Sequence, residues 1–336
     1  MRQLVGRMCW VVVVGSALLG LPAWGQTTPS LPAPKAVAAT VNGQPILEVT
    51  VQRALKRVPP DKHAQARVEI LNYLIDNLLV DQFLTEGKLT VDPKEIDARI
   101  NQIKEEVKKE GHDFAKLMAD MMLSEEELRT QVAADLRWEK YATAQASDKN
   151  LRDYFEKNRD MFDGSTVHAR HILLAAGKDA AADEQVKAQL RQMRQQIENT
   201  VSQGLAKLPA NADALTREKE RARLTEEAFA ALAKEKSICP SKDQGGDVGF
   251  FPRAGSMVEP FARAAFALKP YQLSDVVTTQ FGHHLILVVE RKPGKEVTFE
   301  KAKDEVREVY FDKLREAVAN HVRPKAKIVI HSTAKP

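Results

Sequence analysis

The chain has 336 residues, a formal net charge of +4, 29% charged residues and 6% aromatic residues. This length allows about two domains, and the high charged content with few aromatics is typical of helix-rich soluble proteins. The near balance between 50 Lys+Arg and 46 Asp+Glu gives no reason to expect a nucleic-acid partner.

Residues 1–25 have the pattern of a cleavable secretory signal peptide. Two arginines accompany an apolar run from Met8 to Leu21, and small residues flank a cleavage point before Gln26. The run is shorter than the ~20 residues that a membrane span needs, so an uncleaved anchor is the weaker alternative. We therefore expect a periplasmic protein with no stable membrane insertion once the leader is removed.

Cysteine usage agrees with export. Cys9 leaves with the leader, and its place at the start of the apolar run disfavours lipid attachment there. Cys239 is then the one remaining thiol, so no internal disulfide can form even in an oxidising compartment. The fold must therefore depend on its apolar cores.

The stretch 26–35 is rich in threonine and proline and predicts a mobile linker. Ordered structure is expected from Ala36, where VAATVNGQPIL reads as two short strands around an Asn42-Gly43 turn, a strong hairpin signal.

Helices follow the hairpin. A stripe of leucines and Ile75 predicts a helix from Arg67 to near Gly87. Asp92-Pro93 opens the next helix, and Ser124 with Glu127 forms a capping box before another. The expected ranges are 67–87, 93–107, 113–122, 125–146 and 150–159.

A methionine-rich cluster lies within this helical block, at Leu117, Met118, Met121, Met122 and Leu123. Flexible thioethers suit a surface that accepts many apolar clients. The alternative, which helical spacing favours, is that these side chains fill the core between helices.

Two later segments alternate as strands do. From Val167 to Leu174 the odd positions, His171 included, share an apolar face, and in TQFGHHLILVVER the residue His284 shares its face with Ile286 and Val288. His283 then points the other way. Alternation alone does not establish that the two strands pair.

Between these strands come two long charged helices, at 179–207 and 215–235. Their charge predicts a solvated hairpin, and a partner-binding arm is the minority interpretation.

Residues 237–261, SICPSKDQGGDVGFFPRAGSMVEPF, combine a cysteine, a glycine-rich turn and several large apolar side chains in a segment without helical periodicity. Such a loop-rich apolar segment suits the lining of a concave site. The segment, together with RHILL at 170–174 and TQFGHHLILVVER at the last strand, resembles the parvulin family of peptidyl-prolyl cis/trans isomerases. The three segments also follow one another in the family's order.

The resemblance implies which residues form the site. Met257 and Phe261 would hold the substrate proline ring, and Val248 and Phe251 would complete the wall. The polar floor would consist of catalytic groups, namely His171, Cys239, His284 and Thr279. It further implies that the two histidines lie side by side, and that no cofactor or metal is needed, because no bond is made or broken.

Two other interpretations of these residues are weaker. A nucleophilic Cys239 would resemble a thiol protease, but the parvulin reaction needs no covalent intermediate. A zinc site from Cys239 and the histidines has too few converging ligands, since adjacent histidines on a strand face opposite ways. Lys178 stands nearly alone where phosphoserine-specific parvulins carry several cations, which disfavours a phosphate-directed specificity.

The chain also departs from the parvulin pattern. PRAGS, at 252–256, makes the spacing to Met257 one residue longer than is common, and Tyr271 replaces a frequent glycine. The first departure leaves the place of Met257 in the pocket open.

The helical block, entered by VNGQPI, is similar to the N-terminal chaperone domain of SurA- and PrsA-type foldases. In that family the chain returns after the isomerase domain to complete the chaperone domain, so 293–331 is expected to supply a helix and the strand KAKIVI. The expected fold class is α+β. It combines a mostly helical SurA-like domain at 36–165 with a parvulin domain at 166–292. The parvulin domain is expected to be a small antiparallel sheet flanked by helices, with a helical insertion at about 179–225.

The resemblance implies an exported foldase that isomerises X-Pro bonds in unfolded or partly folded exported proteins and also acts as a holdase. The alternative is a catalytically inactive parvulin fold that only binds extended chains. A homodimer through the helical arms is a further hypothesis.

Overall fold

The computed structural model describes residues 36–331, so the predicted leader and linker lie outside the described residues. Within that range the chain divides into two compact units, one formed by 152–306 and the other by 36–151 together with 307–331. We call them the sheet unit and the helical unit. No helix within 36–331 combines the length and apolar character needed to cross a bilayer.

The helical unit begins with the predicted hairpin. Strands β1 (Val37–Val41) and β2 (Gln44–Leu47) pair antiparallel around Asn42 and Gly43, both of which have positive φ as a two-residue turn requires. On its other side β1 pairs with β7 (Ile328–Ile330), which gives the sheet order β2-β1-β7.

Six helices follow the hairpin before the sheet unit's first strand. They are α1 (Glu48–Leu55), α2 (His63–Glu86), α3 (Pro93–Lys109), α4 (Phe114–Asp120), α5 (Glu125–Gln145) and α6 (Asp148–Lys157). Both predicted caps are present, with reciprocal hydrogen bonds at Asp92/Glu95 and at Ser124/Glu127. Helix α2 begins before the predicted Arg67, and α6 begins and ends two residues earlier than expected.

The cores of the helical unit lie between these helices and α10 (Phe299–Val322). Near the three-stranded sheet, Val41 and Ile75 are fully buried. Farther along, Trp138 of α5 packs with Val80 of α2 and Val318 of α10. The third core joins α3 to α5 through Ile100, Ile103, Val107, Leu123, Leu128 and Val132.

The methionine-rich cluster packs against this third core. Leu123 is buried, and Leu117, Met118 and Met121 are half-buried against it. The structure therefore agrees with the interpretation as core filling. Met122 has a positive φ of 50°, and its carbonyl accepts a 2.6 Å hydrogen bond from the buried Arg53.

The sheet unit is built on four antiparallel strands, β3 (Thr166–Leu174), β4 (Asp247–Pro252), β5 (Val277–Thr279) and β6 (Gly282–Lys292). Their order in the sheet is β4-β3-β6-β5. Helices α7 (Ala180–Leu205) and α8 (Ala214–Lys236) cover one face, and α9 (Glu259–Ala267) covers the other. The α+β fold class is thus confirmed.

The prediction of a solvated α7–α8 hairpin is wrong for much of its length. Leu190 and Ile197 of α7 and Phe229 of α8 are almost completely buried against the back of the sheet, beside Leu285 and Leu287. Charged residues occupy the outer helix faces, and their number hid the apolar stripe that makes both helices part of the core.

Candidate active site

Pairing between β3 and β6 places the two predicted histidines on one face of the sheet. His171 lies opposite Ile286, and Leu173 lies opposite His284, so the histidines occupy diagonal positions. Val167, Ala169, Ile286 and Val288 share that face and are fully buried. The alternation read from the sequence is correct for both strands.

The imidazoles of His171 and His284 are hydrogen-bonded to each other. Their Nδ1 atoms are 3.0 Å apart, and the rings stack with centroids 5.3 Å apart. The ring of Phe261 meets both of them edge-on, at 5.5 and 5.3 Å. Since a hydrogen bond between two Nδ1 atoms needs one donor and one acceptor, the pair holds a single shared proton at this point.

Burial holds this pair in the neutral form. Desolvation lowers the pKa of His171 from 6.5 to about 4. Desolvation also lowers the pKa of His284 to about 4, with smaller contributions from His171 and His283. At neutral pH the floor of the site is therefore uncharged and can donate or accept a hydrogen bond without a net charge to desolvate.

Thr279 continues the network. Its Oγ1 lies 2.8 Å from Nε2 of His284 and accepts a hydrogen bond from the backbone N–H of Phe281 at 3.1 Å. At the other end, Nε2 of His171 is buried and has no hydrogen-bond partner among the described residues. The chain of polar groups thus ends in one unsatisfied ring nitrogen.

The predicted apolar wall packs around the histidines. Phe251 and Phe261 are buried with their ring centroids 5.9 Å apart. Val248 and Met257 are half-buried against the same cluster. All four predicted wall residues therefore contact one apolar core on the histidine face of the sheet.

The extra residue before Met257 is absorbed in a loop held by Arg253, a residue that the sequence reasoning missed. Arg253 is 4% exposed and donates to both carboxylate oxygens of Glu259 at 2.9 Å. Gly255 takes a positive φ of 90° within the loop. This bidentate pair fastens the loop to the first turn of α9, which keeps Met257 beside the cluster.

Cys239 is less closely joined to the site than the other predicted groups. It is half-buried, and its thiol makes no hydrogen bond with His171 or His284 within 36–331. Its loop is nevertheless fixed at the end of β3, because Oγ of buried Ser237 accepts from the backbone N–H groups of Leu173 and Cys239. Ser237 was also missed, although it opens the segment that carries the resemblance.

His283 lies on the opposite face, as its position in β6 predicts. Its Nε2 is 2.7 Å from Asp183 of α7, and its Nδ1 is 3.0 Å from Thr278. These contacts tie the sheet to α7. Arranged in this way, His283 cannot converge with His171 and His284 on one ion.

The sequence is similar to two known domain families and to foldase proteins. A family described as PPIC-type PPIase domain matches residues 206–290, and a SurA-like N-terminal domain matches residues 1–142. The chain is 28% identical over 233 residues to the foldase protein PrsA of Bacillus subtilis (strain 168), covering 68% of this chain and 64% of that protein. It is 27% identical over 266 residues to the foldase protein PrsA of Caldanaerobacter subterraneus, covering 74% and 72%.

A crystal structure of peptidylprolyl isomerase (PrsA) from Bacillus anthracis is 19% identical, with a TM-score of 0.41, and covers 76% of this chain and 96% of that one. The chain spans about two thirds of the length of the curated relatives it matches, 64% and 72% in the two cases above. The two family matches cover separate parts of the sequence and together account for most of it. The chain therefore contains a PPIC-type PPIase domain at 206–290 and a SurA-like N-terminal domain at 1–142.

Proposed function

We propose that this protein is an exported foldase that catalyses cis/trans isomerisation of X-Pro bonds in unfolded client proteins and holds those clients through its SurA-like domain. The observation that carries the proposal is the neutral pair His171–His284, joined to Thr279, at the base of an apolar wall. The matches to foldase proteins named PrsA support it.

The chemistry of isomerisation fits such a site. An X-Pro bond rotates over a barrier of about 18–20 kcal/mol because amide resonance is lost in the twisted state, and uncatalysed exchange takes tens to hundreds of seconds. No bond forms or breaks, so catalysis requires stronger binding of the twisted peptide than of either planar form. A dry pocket with one or two well-placed polar groups supplies that preference.

Each part of the site has a role in this proposal. Phe251, Met257 and Phe261 grip the proline ring and exclude water. Thr279 orients His284 so that the pair keeps one tautomer, and the unsatisfied Nε2 of His171 is the polar group left for the twisted peptide once peptide binding uncovers it. Cys239 lies at the edge of the site and makes a polar, non-covalent contact with the peptide.

A proline-limited refolding assay tests the activity. The full chain without its leader should accelerate the slow refolding phase of a protein with a native cis-proline, and His284→Ala should abolish the acceleration. Arg57→Ala, an exposed change in the helical unit, serves as the matched control. If the wild type and both variants suppress aggregation but do not accelerate refolding, an inactive holdase is favoured instead.

We also propose the predicted domain division 36–165, 166–292 and 293–331, with the last segment completing the chaperone domain. The compact units divide the chain at 151/152 and at 306/307. Pairing of β7 with β1 and the burial of Val318 beside Trp138 support it. Truncation after Lys325 should speed amide exchange in β1, whereas truncation after His331, which keeps β7, should not. Unchanged exchange in the shorter chain would contradict the proposal.

The leader and the foldase matches support export, and the proposed location is the periplasm. Clients are then exported chains that have not yet folded. Secretion of a fusion to the first 25 residues, with cleavage before Gln26, tests this location.

A further inference from the structure

Two large apolar side chains in the sheet unit are exposed close to the candidate active site. Ile238 is 56% exposed and Phe281 is 54% exposed, although most large apolar side chains of this unit are buried. Both are close in sequence to predicted site residues. Ile238 directly precedes Cys239, and Phe281 follows Thr279 by two positions.

The backbone of Ile238 is anchored at the end of β3. Its N–H donates to the carbonyl of Leu173 at 2.9 Å, and the preceding Ser237 accepts from Leu173 as well. Ser237 is buried whereas Ile238 is not. The loop therefore presents Ile238 to solvent from a fixed position.

Phe281 is held in the same way from the other side. Its N–H donates to Oγ1 of Thr279, the atom that also contacts His284. The next residue, Gly282, has a φ of 129° and packs so closely that a Cβ there would lie 2.1 Å from the carbonyl oxygen of Leu174. The tight turn therefore fixes the backbone at Phe281.

The two side chains thus flank one strand end, where Leu173 pairs with His284 and Leu174 pairs with His283. Exposing both an isoleucine and a phenylalanine on rigid backbone leaves apolar area in water that an apolar ligand could cover. Phe261 meets the ring of His284 edge-on at 5.3 Å, so a chain with its proline against Phe261 would lie beside this strand end.

We propose that Ile238 and Phe281 form an apolar rim that selects X-Pro segments whose residues on both sides of the proline are apolar. This inference rests on the proposed isomerase function. The rim matches clients that are not yet folded, because apolar residues beside a proline are accessible before folding and buried afterwards. Contact of one or two apolar side chains with such a rim corresponds to discrimination of about tenfold.

The test measures cis/trans exchange by NMR for two uncharged peptides that differ only beside the proline, Leu-Pro-Leu and Ser-Pro-Ser in an otherwise identical frame. The wild-type chain should exchange the leucine peptide about tenfold faster at subsaturating concentration. Ile238→Ser combined with Phe281→Ser should reduce that ratio to within about twofold.

Phe250→Ser is the matched control. Phe250 is also exposed, at 40%, but it pairs with His168 on the face away from the two histidines, where the Lys292 ammonium lies over its ring. The peptide ratio should therefore stay at its wild-type value in this variant.

The outcomes separate the rim from the function it depends on. Exchange of neither peptide by the wild-type chain overturns the isomerase proposal. Equal exchange of both peptides, or an unchanged ratio in the folded double variant, overturns the rim alone. If the wild-type chain exchanges the two peptides at equal rates, the rim is overturned even if the double variant does not fold.

Discussion

Acidification should weaken the sheet unit through His171 and His284. Burial lowers the pKa of each from 6.5 to about 4, so between these values the unfolded chain binds more protons than the folded one. Stability is then complete above pH 6.5 and is lost as the pH falls toward 4. The sign is fixed because the folded state favours neutral imidazoles.

The magnitude follows from the size of the shift. Lowering the pH from 7 to 5 protonates each histidine almost fully in the unfolded chain but little in the folded one, which costs about 2 kcal/mol per histidine. His171 is 6% exposed and His284 is 4% exposed, so solvent screening reduces this figure little. Carboxyl groups with shifted pKa values add contributions of either sign, because the pKa of Asp160 is raised by burial whereas that of Asp247 is lowered, and this makes a variant comparison necessary.

Amide hydrogen exchange of 166–174 and 282–292 measures the effect within the full chain. After correction for the intrinsic pH dependence of exchange, the unfolding free energy of the wild type should fall between pH 7 and 5 by about 2 kcal/mol more than that of His171→Asn. NMR titration of the two imidazoles should give midpoints well below 6.5. Equal pH dependence in both proteins, or midpoints near 6.5, would refute the reasoning.

Three further predictions follow from single contacts. Thr279→Val removes the hydroxyl that hydrogen-bonds to His284 and should lower kcat/KM about tenfold. The control Thr278→Val affects His283 on the opposite face and should leave kcat/KM within about twofold of the wild type. Equal losses of kcat/KM in the two variants would show that Thr279 has no role in positioning His284. Cys239→Ser should keep kcat/KM within about tenfold of the wild type, because the Cys239 thiol is outside the histidine network. A loss of kcat/KM of about a thousandfold or more would instead indicate a covalent nucleophile. Arg53→Ala should destabilise the helical unit by about 3 kcal/mol in denaturant unfolding, because the Met122 carbonyl loses its buried donor and Glu127 loses the guanidinium 3.5 Å away. The exposed change Arg57→Ala is the control, and an equal loss of stability in both variants would contradict this prediction.

Local chemistry made part of the fold predictable. Asn42-Gly43 formed the expected turn because both residues tolerate positive φ, and Ser124 with Glu127 formed the expected capping box because the two satisfy each other's hydrogen bonds. A strict period of two placed His171 and His284 each on the apolar face of its own strand, whereas their position side by side was implied by the resemblance.

Features that depend on distant contacts were not predictable in this way. The burial of Leu190 and Phe229 depends on which helix face meets the sheet, and charged neighbours concealed that face. The Arg253–Glu259 pair, which absorbs the extra residue before Met257, joins residues whose spacing carries no periodic signal. The separation of the Cys239 thiol from the histidines likewise follows from the path of its loop.

The most direct test of the central claim is NMR exchange spectroscopy on a proline peptide with the leader-free chain, read together with the imidazole signals of His171 and His284. The account predicts cis/trans exchange faster than in peptide alone, shifts of both imidazoles on peptide addition, and loss of the exchange in His284→Ala. Peptide binding that leaves both imidazoles unshifted and exchange at the uncatalysed rate would contradict it.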